Sequence, residues 1–178
     1  APMSSPSWRN VASRSLCWRA LLIAIVVATL AGPPIPSPGW AADRPPQVEA
    51  AIRRGVDFLK GSAGITASNE AGLVAYTYLS AGESPESSHV AAPINVILRK
   101  ISGEGYRPTK DHTYEAGTDA MALAAADREK YQPQLQAIAD FLLKEQRNFG
   151  AWDYLGQNHG GDTSISQYGM LGLWAAAR

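Results

Sequence analysis

The sequence predicts an all-α fold built from tandem helical hairpins. Two observations carry that expectation. Apolar residues recur at helical spacing in successive segments, and the segments alternate between amphipathic ones and ones that are small and apolar almost all round. The pattern also repeats in register. Glu70-Ala71-Gly72 returns as Glu115-Ala116-Gly117 and, more loosely, as Gln167-Tyr168-Gly169, at separations of 45 and 52 residues. Val56-Asp57-Phe58-Leu59 likewise returns as Ala139-Asp140-Phe141-Leu142. Three copies of one hairpin explain this better than six unrelated helices.

The first helix is expected from about Gln47 to Lys60. Val48, Ala51, Ile52, Gly55, Val56 and Leu59 fall on one face, and Glu49 and Arg53 stand four apart on the other. The glycine-rich segment 61–64 ends it. The second helix, from about Asn69 to Ala81, has almost no polar face and is expected to be buried on both sides. Gly82 to Pro85 stops it.

The third helix carries Val90, Ile94, Ile97, Leu98 and Ile101, with Pro93 either in its first turn or kinking it. Ser102 to Gly105 ends it, and a polar loop continues to His112. The fourth helix, Thr113 to Ala126, is small and apolar again. The fifth runs from about Pro133 to Gln146, with Leu135, Ile138, Ala139 and Leu142 inward and Gln136, Asp140 and Lys144 outward. A Gly/Trp turn, a polar loop and a sixth, apolar helix complete the chain. Small helices would form an inner wall and amphipathic ones an outer layer. Stacked hairpins of this kind curve into a solenoid or close into a ring. Three of them leave an apolar edge open, so self-association through that edge is expected. The start at Ala1 and the end at Arg178 inside an apolar run suggest a truncated chain.

Residues 1–42 read as an export leader. Arg9, Arg14 and Arg19 precede an apolar run from Ala20 to Gly32. Gly39 and Ala41 then fit the small-x-small pattern that precedes cleavage near Ala41 or Ala42. The apolar run is only about 20 Å long as a helix, short of the roughly 30 Å membrane core, and four prolines prevent its extension. A membrane is therefore expected to be met only through the leader. The single cysteine, Cys17, lies in the leader, so the mature chain has no disulfide and no thiol chemistry. Removing the three leader arginines from 16 basic residues leaves the mature chain about three charges negative, and no basic patch points to nucleic acid.

Phe141-Leu142-Leu143, Gln146, Gly150 and Trp152 read F-L-L-x-x-Q-x-x-x-G-x-W. This resembles the QW motif of the squalene cyclase and prenyltransferase superfamily, and Gly161 to Ser164 with Gln167 resembles the start of an inner helix in those repeats. The resemblance implies an α/α toroid, here a partial barrel, and a hydrophobic or isoprenoid small molecule as partner. It also implies that Gln146 caps a helix end and meets Trp152, a structural role. The catalytic residues of that superfamily do not carry over: no D-x-D-D segment occurs, and the mature chain has no cysteine to hold zinc. No cofactor or metal is expected.

The candidate site residues are acids and histidines on or before the inner helices. His112 and Glu115 open the fourth helix; His159, Asp162 and Gln167 stand before or within the start of the sixth. They offer general acid–base groups near one mouth, but capping explains Asp162 and Gln167 equally well. Asp119 lies mid-helix among small residues, where a carboxylate is costly unless paired. Glu70 and Glu115 hold equivalent repeat positions, which favours one repeated structural job. His112, His159 and Asp162 as a metal set have no diagnostic spacing. Tyr76, Tyr78, Tyr168 and Trp174 lie on inner helices, as core or as a cation-stabilising lining.

The expected function is an exported squalene-cyclase/prenyltransferase-like repeat protein with no catalytic activity evident in the chain. The alternatives are a non-catalytic envelope scaffold or binding module, and a carbohydrate-active enzyme on an α/α toroid. Export itself argues against a normal cyclase, whose hydrocarbon substrate is taken up from the cytoplasmic side.

Overall fold

The computed structural model describes residues 44–62, 69–154, 156 and 160–178. The leader with its cleavage position, and His159, lie outside the described residues. Residues from Pro45 to Arg178 belong to one compact unit. It is mostly helical. Among the described residues are six helices, α1 (Pro46–Gly61), α2 (Ala71–Ser80), α3 (Ser88–Arg99), α4 (His112–Asp127), α5 (Gln132–Glu145) and α6 (Thr163–Ala177). Two short strands, β1 (Ile101–Ser102) and β2 (Gly105–Tyr106), pair antiparallel between α3 and α4. No described helix is long and apolar enough to cross a membrane.

The small-residue helices α2, α4 and α6 pack side by side in that order; α3 lies on α2, and α5 lies on α4 and α6. Glycine makes this possible. A Cβ on Gly72 would lie 2.5 Å from the backbone nitrogen of Asp119, and one on Gly117 would lie 2.5 Å from the carbonyl oxygen of Tyr168. Equivalent positions of the repeat therefore make the same kind of contact with the next small helix. Gly172 closes the α4–α6 seam from the other side, with its would-be Cβ 2.8 Å from the Cα of Gly117. Gly169, the third copy, departs from the pattern: it receives the indole of Trp152. Ile97, Leu123, Leu135, Ile138 and Leu142 fill the space between the helices.

Several expectations are corrected. The apolar helices are not buried on both sides, because Leu73 on α2 and Met170 and Trp174 on α6 are exposed. The predicted inner face of α1 buries only Val56, and Phe58 and Val48 face solvent. Of the two alternatives for Pro93, the first turn is excluded: it lies inside α3, one turn further on, buried where its missing N–H removes one helical bond. The segment after α3 begins as a β-hairpin rather than a plain loop, and Tyr106 within it is buried.

Candidate functional site

Two polar assemblies stand out, and they are different in kind. The first is a buried ion cluster. Lys100 comes directly after α3. Its Nζ lies 2.8 Å from Asp119 Oδ2 and 3.0 Å from Glu115 Oε2, and the three side chains are at most 3% exposed. The helical spacing explains the meeting. Pro93, Ile97 and Lys100 share one face of α3, and Glu115 and Asp119 stand four apart on α4. Tyr106 donates its hydroxyl to Asp119 Oδ2 at 2.8 Å. The hairpin makes this possible, since it turns the chain back beside Lys100.

Glu115 has a second task. Its carboxylate accepts from the backbone N–H groups of Thr109 and Asp111, at 2.9 and 2.7 Å, and from that of Lys110. It thus reaches back over the start of its own helix, as the Glu of a capping box does one position earlier. Burial works against the charged form, but these backbone bonds and Lys100 outweigh it and hold the Glu115 carboxyl down at about 2. For Asp119 the balance tips the other way. Burial dominates over Lys100 and Tyr106 and pushes its carboxyl up to about 6, and its Oδ1 has no partner among the described residues. Burial, then the Asp119 charge, push the Tyr106 hydroxyl well above its ordinary value.

Glu115 and Asp119, two of the expected acid–base candidates, are therefore engaged inside the protein. Glu70 does not share the work of Glu115: it is exposed and makes no capping bond. The repeated structural job expected of that pair is absent. Lys100 and Tyr106 escape a reading of the sequence. The one signal for them is a lysine on the buried face of α3 opposite a mid-helix aspartate.

The second assembly is a groove of about 620 Å³ where the N-terminal ends of α2, α4 and α6 come together. Asn69, Glu70 and Leu73 line it from α2, and Lys110 to Tyr114 and Thr118 from α4 and its approach. Ile165 and Tyr168 contribute from α6, and Asp153 and Tyr154 from the preceding loop. Tyr114 and Tyr168 pack with ring centroids 4.7 Å apart. Ser164 donates its one hydroxyl proton to Asp162 Oδ1 at 2.5 Å, so the 2.7 Å bond between Tyr114 and Ser164 takes its proton from the tyrosine. A hydrogen bond with Tyr114 raises the Tyr154 hydroxyl. Asn69 donates to Asp111 Oδ2 at 3.0 Å across the α2–α4 gap.

The remaining candidates have separate places. Asp162 is the N-cap of α6, accepting from the Ile165 N–H at 2.9 Å; its bond from Ser164 is the larger cause of its lowered pKa. Gln167 is exposed and lines a separate shallow recess with Asp162 and Met170. His112 lines the groove. It opens α4 at φ +26, in the left-handed region that non-glycine residues avoid, and its Nδ1 has no hydrogen-bond partner among the described residues. No group of three metal-binding side chains occurs among the described residues. Tyr78 is core, Tyr76 is half-buried, and Trp174 is exposed with the Arg178 guanidinium 3.8 Å above its ring.

The residues of the QW-like motif gather around the turn between α5 and α6. Trp152 is buried, and its indole N–H donates at 2.9 Å to the carbonyl of Leu142, which also accepts from the Gln146 backbone N–H at 3.1 Å. Its backbone N–H donates to Ser166 Oγ at 3.0 Å, and its carbonyl accepts from the Asp162 N–H at 2.8 Å. One residue thus ties the end of α5 to the start of α6. Gln146 does something other than expected. Its side chain donates to the carbonyl of Gly150 at 2.7 Å and bridges the turn, while its backbone N–H shares the Leu142 carbonyl with the Trp152 indole. Gly150 makes the turn at φ +91. Phe141 packs edge-on against Tyr106, and Leu142 is core.

Compared with family models, curated proteins and solved structures, the chain matches none of them.

Proposed function

We propose that this chain is an exported repeat protein of the squalene-cyclase/prenyltransferase type, with α/α-toroid hairpins, and that it binds a small molecule without transforming it. The observation that carries the reading is the convergence of three small-residue helices on one groove of about 620 Å³, within the roughly 300–1,000 Å³ of small-ligand pockets. The repeat register and the F-L-L-x-x-Q-x-x-x-G-x-W stretch support the type. Binding is favoured over turnover because the two most shielded acids, Glu115 and Asp119, serve an ion pair with Lys100 instead of facing the groove.

The test is direct. The purified chain is incubated with squalene and with farnesyl diphosphate, and the products are analysed. Unchanged substrate is the expected result, and a cyclised hydrocarbon or released diphosphate would overturn the reading. Export is tested separately by fusing residues 1–45 to a reporter active only outside the cytoplasm. A silent reporter would remove that part of the proposal.

A further inference from the structure

We infer that the ligand of the groove is a neutral, polyhydroxylated molecule of the saccharide class, and not an isoprenoid or a phosphate ester. The inference rests on the reading that this groove is the binding site. Among the described residues, Leu73 and Ile165 are the only aliphatic side chains in its lining; its remaining apolar surface is mostly tyrosine ring edged by carboxylates and an amide, which a hydrocarbon chain would desolvate without pairing.

A diphosphate fits no better. Helix N-termini attract anions in general. Here, however, Glu70 and Asp111 stand at the N-caps of α2 and α4, Asp153 joins them, and Lys110 is the only cationic side chain that the described residues bring to the lining. The lining therefore carries three carboxylates against one ammonium, and an added anion would be repelled.

The carboxylates of the lining are already oriented by neutral donors. Asp111 accepts from Asn69. Asp153 is also engaged. Such carboxylates keep their charge and also keep free lone pairs, which the hydroxyl donors of a polyhydroxylated ligand can use. Alongside them Tyr114, Tyr154 and Tyr168 offer aromatic rings, on which the C–H faces of a sugar ring stack. Tyrosines with partly satisfied acids and an amide make a surface that recognises many hydroxyls around an apolar ring face. Nothing here requires bond cleavage, and the inference is of binding alone.

The experiment is a calorimetric titration of the purified chain with five probes: cellohexaose, maltohexaose, farnesol, farnesyl diphosphate and spermidine. The variants are Tyr154→Ala and Tyr114→Phe. Tyr154 is exposed in a loop, so its removal leaves the helices packed. The expected result is that one of the hexasaccharides binds, that Tyr154→Ala weakens it about tenfold, and that Tyr114→Phe, which keeps the ring, weakens it less than about threefold. Binding of farnesol, farnesyl diphosphate or spermidine in place of both saccharides would overturn the ligand class and leave the groove reading intact. Saccharide binding unaffected by Tyr154→Ala would overturn the assignment to this groove. Failure of all five probes would overturn the inference and the groove reading together.

Discussion

Replacing Lys100 by methionine tests the buried cluster. The side chain keeps its length and packing and loses its charge. Glu115 would retain its three backbone donors, but Asp119 would keep only the Tyr106 hydroxyl. Removing one partner of a buried pair costs about 3–5 kcal/mol, a large share of a typical total of about 5–15 kcal/mol. In a domain of this size that lowers Tm by roughly 10–20 °C. The loss depends on pH. With the wild-type Asp119 carboxyl at about 6, the aspartate is mostly ionised at pH 7.5 and mostly protonated at pH 5. Without Lys100 it stays protonated at both. The variant's penalty is therefore about 2 kcal/mol smaller at the lower pH. Chemical denaturation at the two pH values measures both quantities. Adding Asp119→Leu to Lys100→Met removes the buried, poorly partnered carboxyl and should recover at least about half of the loss. A single variant as stable as wild type, or a penalty equal at both pH values, would refute the cluster as described.

Two further outcomes come from the same packing. The folded chain holds the Asp119 proton up to about 6, whereas the unfolded chain releases it near pH 4, so stability should fall as pH rises across that window, by about 3 kcal/mol. The Glu115 carboxyl, held at about 2, acts in the opposite sense: its contribution is present above about pH 4.5 and is lost as pH falls toward 2. Denaturation midpoints in Asp119→Asn should lose the first slope and keep the second; a variant that retains the slope between pH 4 and 6 would contradict the assignment. Gly117→Ala should destabilise by about 1–3 kcal/mol despite alanine's better helix propensity, because its Cβ would meet the Tyr168 carbonyl at 2.5 Å. Gly55→Ala, with nothing within 4 Å, should instead stabilise by about 0.5–1 kcal/mol, and thermal melts of the two variants compare them directly.

The helices are legible in the sequence because their signal is spread over many residues. In α5, Leu135, Ile138 and Leu142 repeat the inward spacing, and Gln136 and Asp140 pair outward at 2.8 Å. The glycine register is legible for the same reason: a small residue every helical repeat is a packing requirement, and Gly72 and Gly117 both face the next small helix. The β-hairpin is not legible, since strands of two residues carry no readable alternation. Exposure of Leu73, Met170 and Trp174 is hidden by composition. An apolar residue does not say whether its neighbour is protein or water. Gln146 departs from expectation because motif spacing gives the residue and not the direction of its side-chain amide, which turns to the Gly150 carbonyl. The groove lining is the least legible part. Tyr154 and Asp153 come from an irregular loop, and no periodicity brings them beside Asn69.

One segment joins the ion cluster to the groove. Residues 107–111 have no regular structure of their own, yet they lead directly into His112 and deliver Lys110 and Asp111 to the groove beside it. Glu115 fixes them: it gathers three consecutive backbone N–H groups while Lys100 neutralises its charge. His112 sits directly after this collar at φ +26, a conformation a free chain would leave at once. The collar over-determines the backbone and so sustains it. A buried acid can thus decide the shape of a groove wall, by committing its hydrogen bonds to the loop that carries the lining residues. On this logic Glu115 is a positioning residue for the proposed groove. That explains why a carboxylate is kept fully buried at a site where an apolar side chain would pack at less cost.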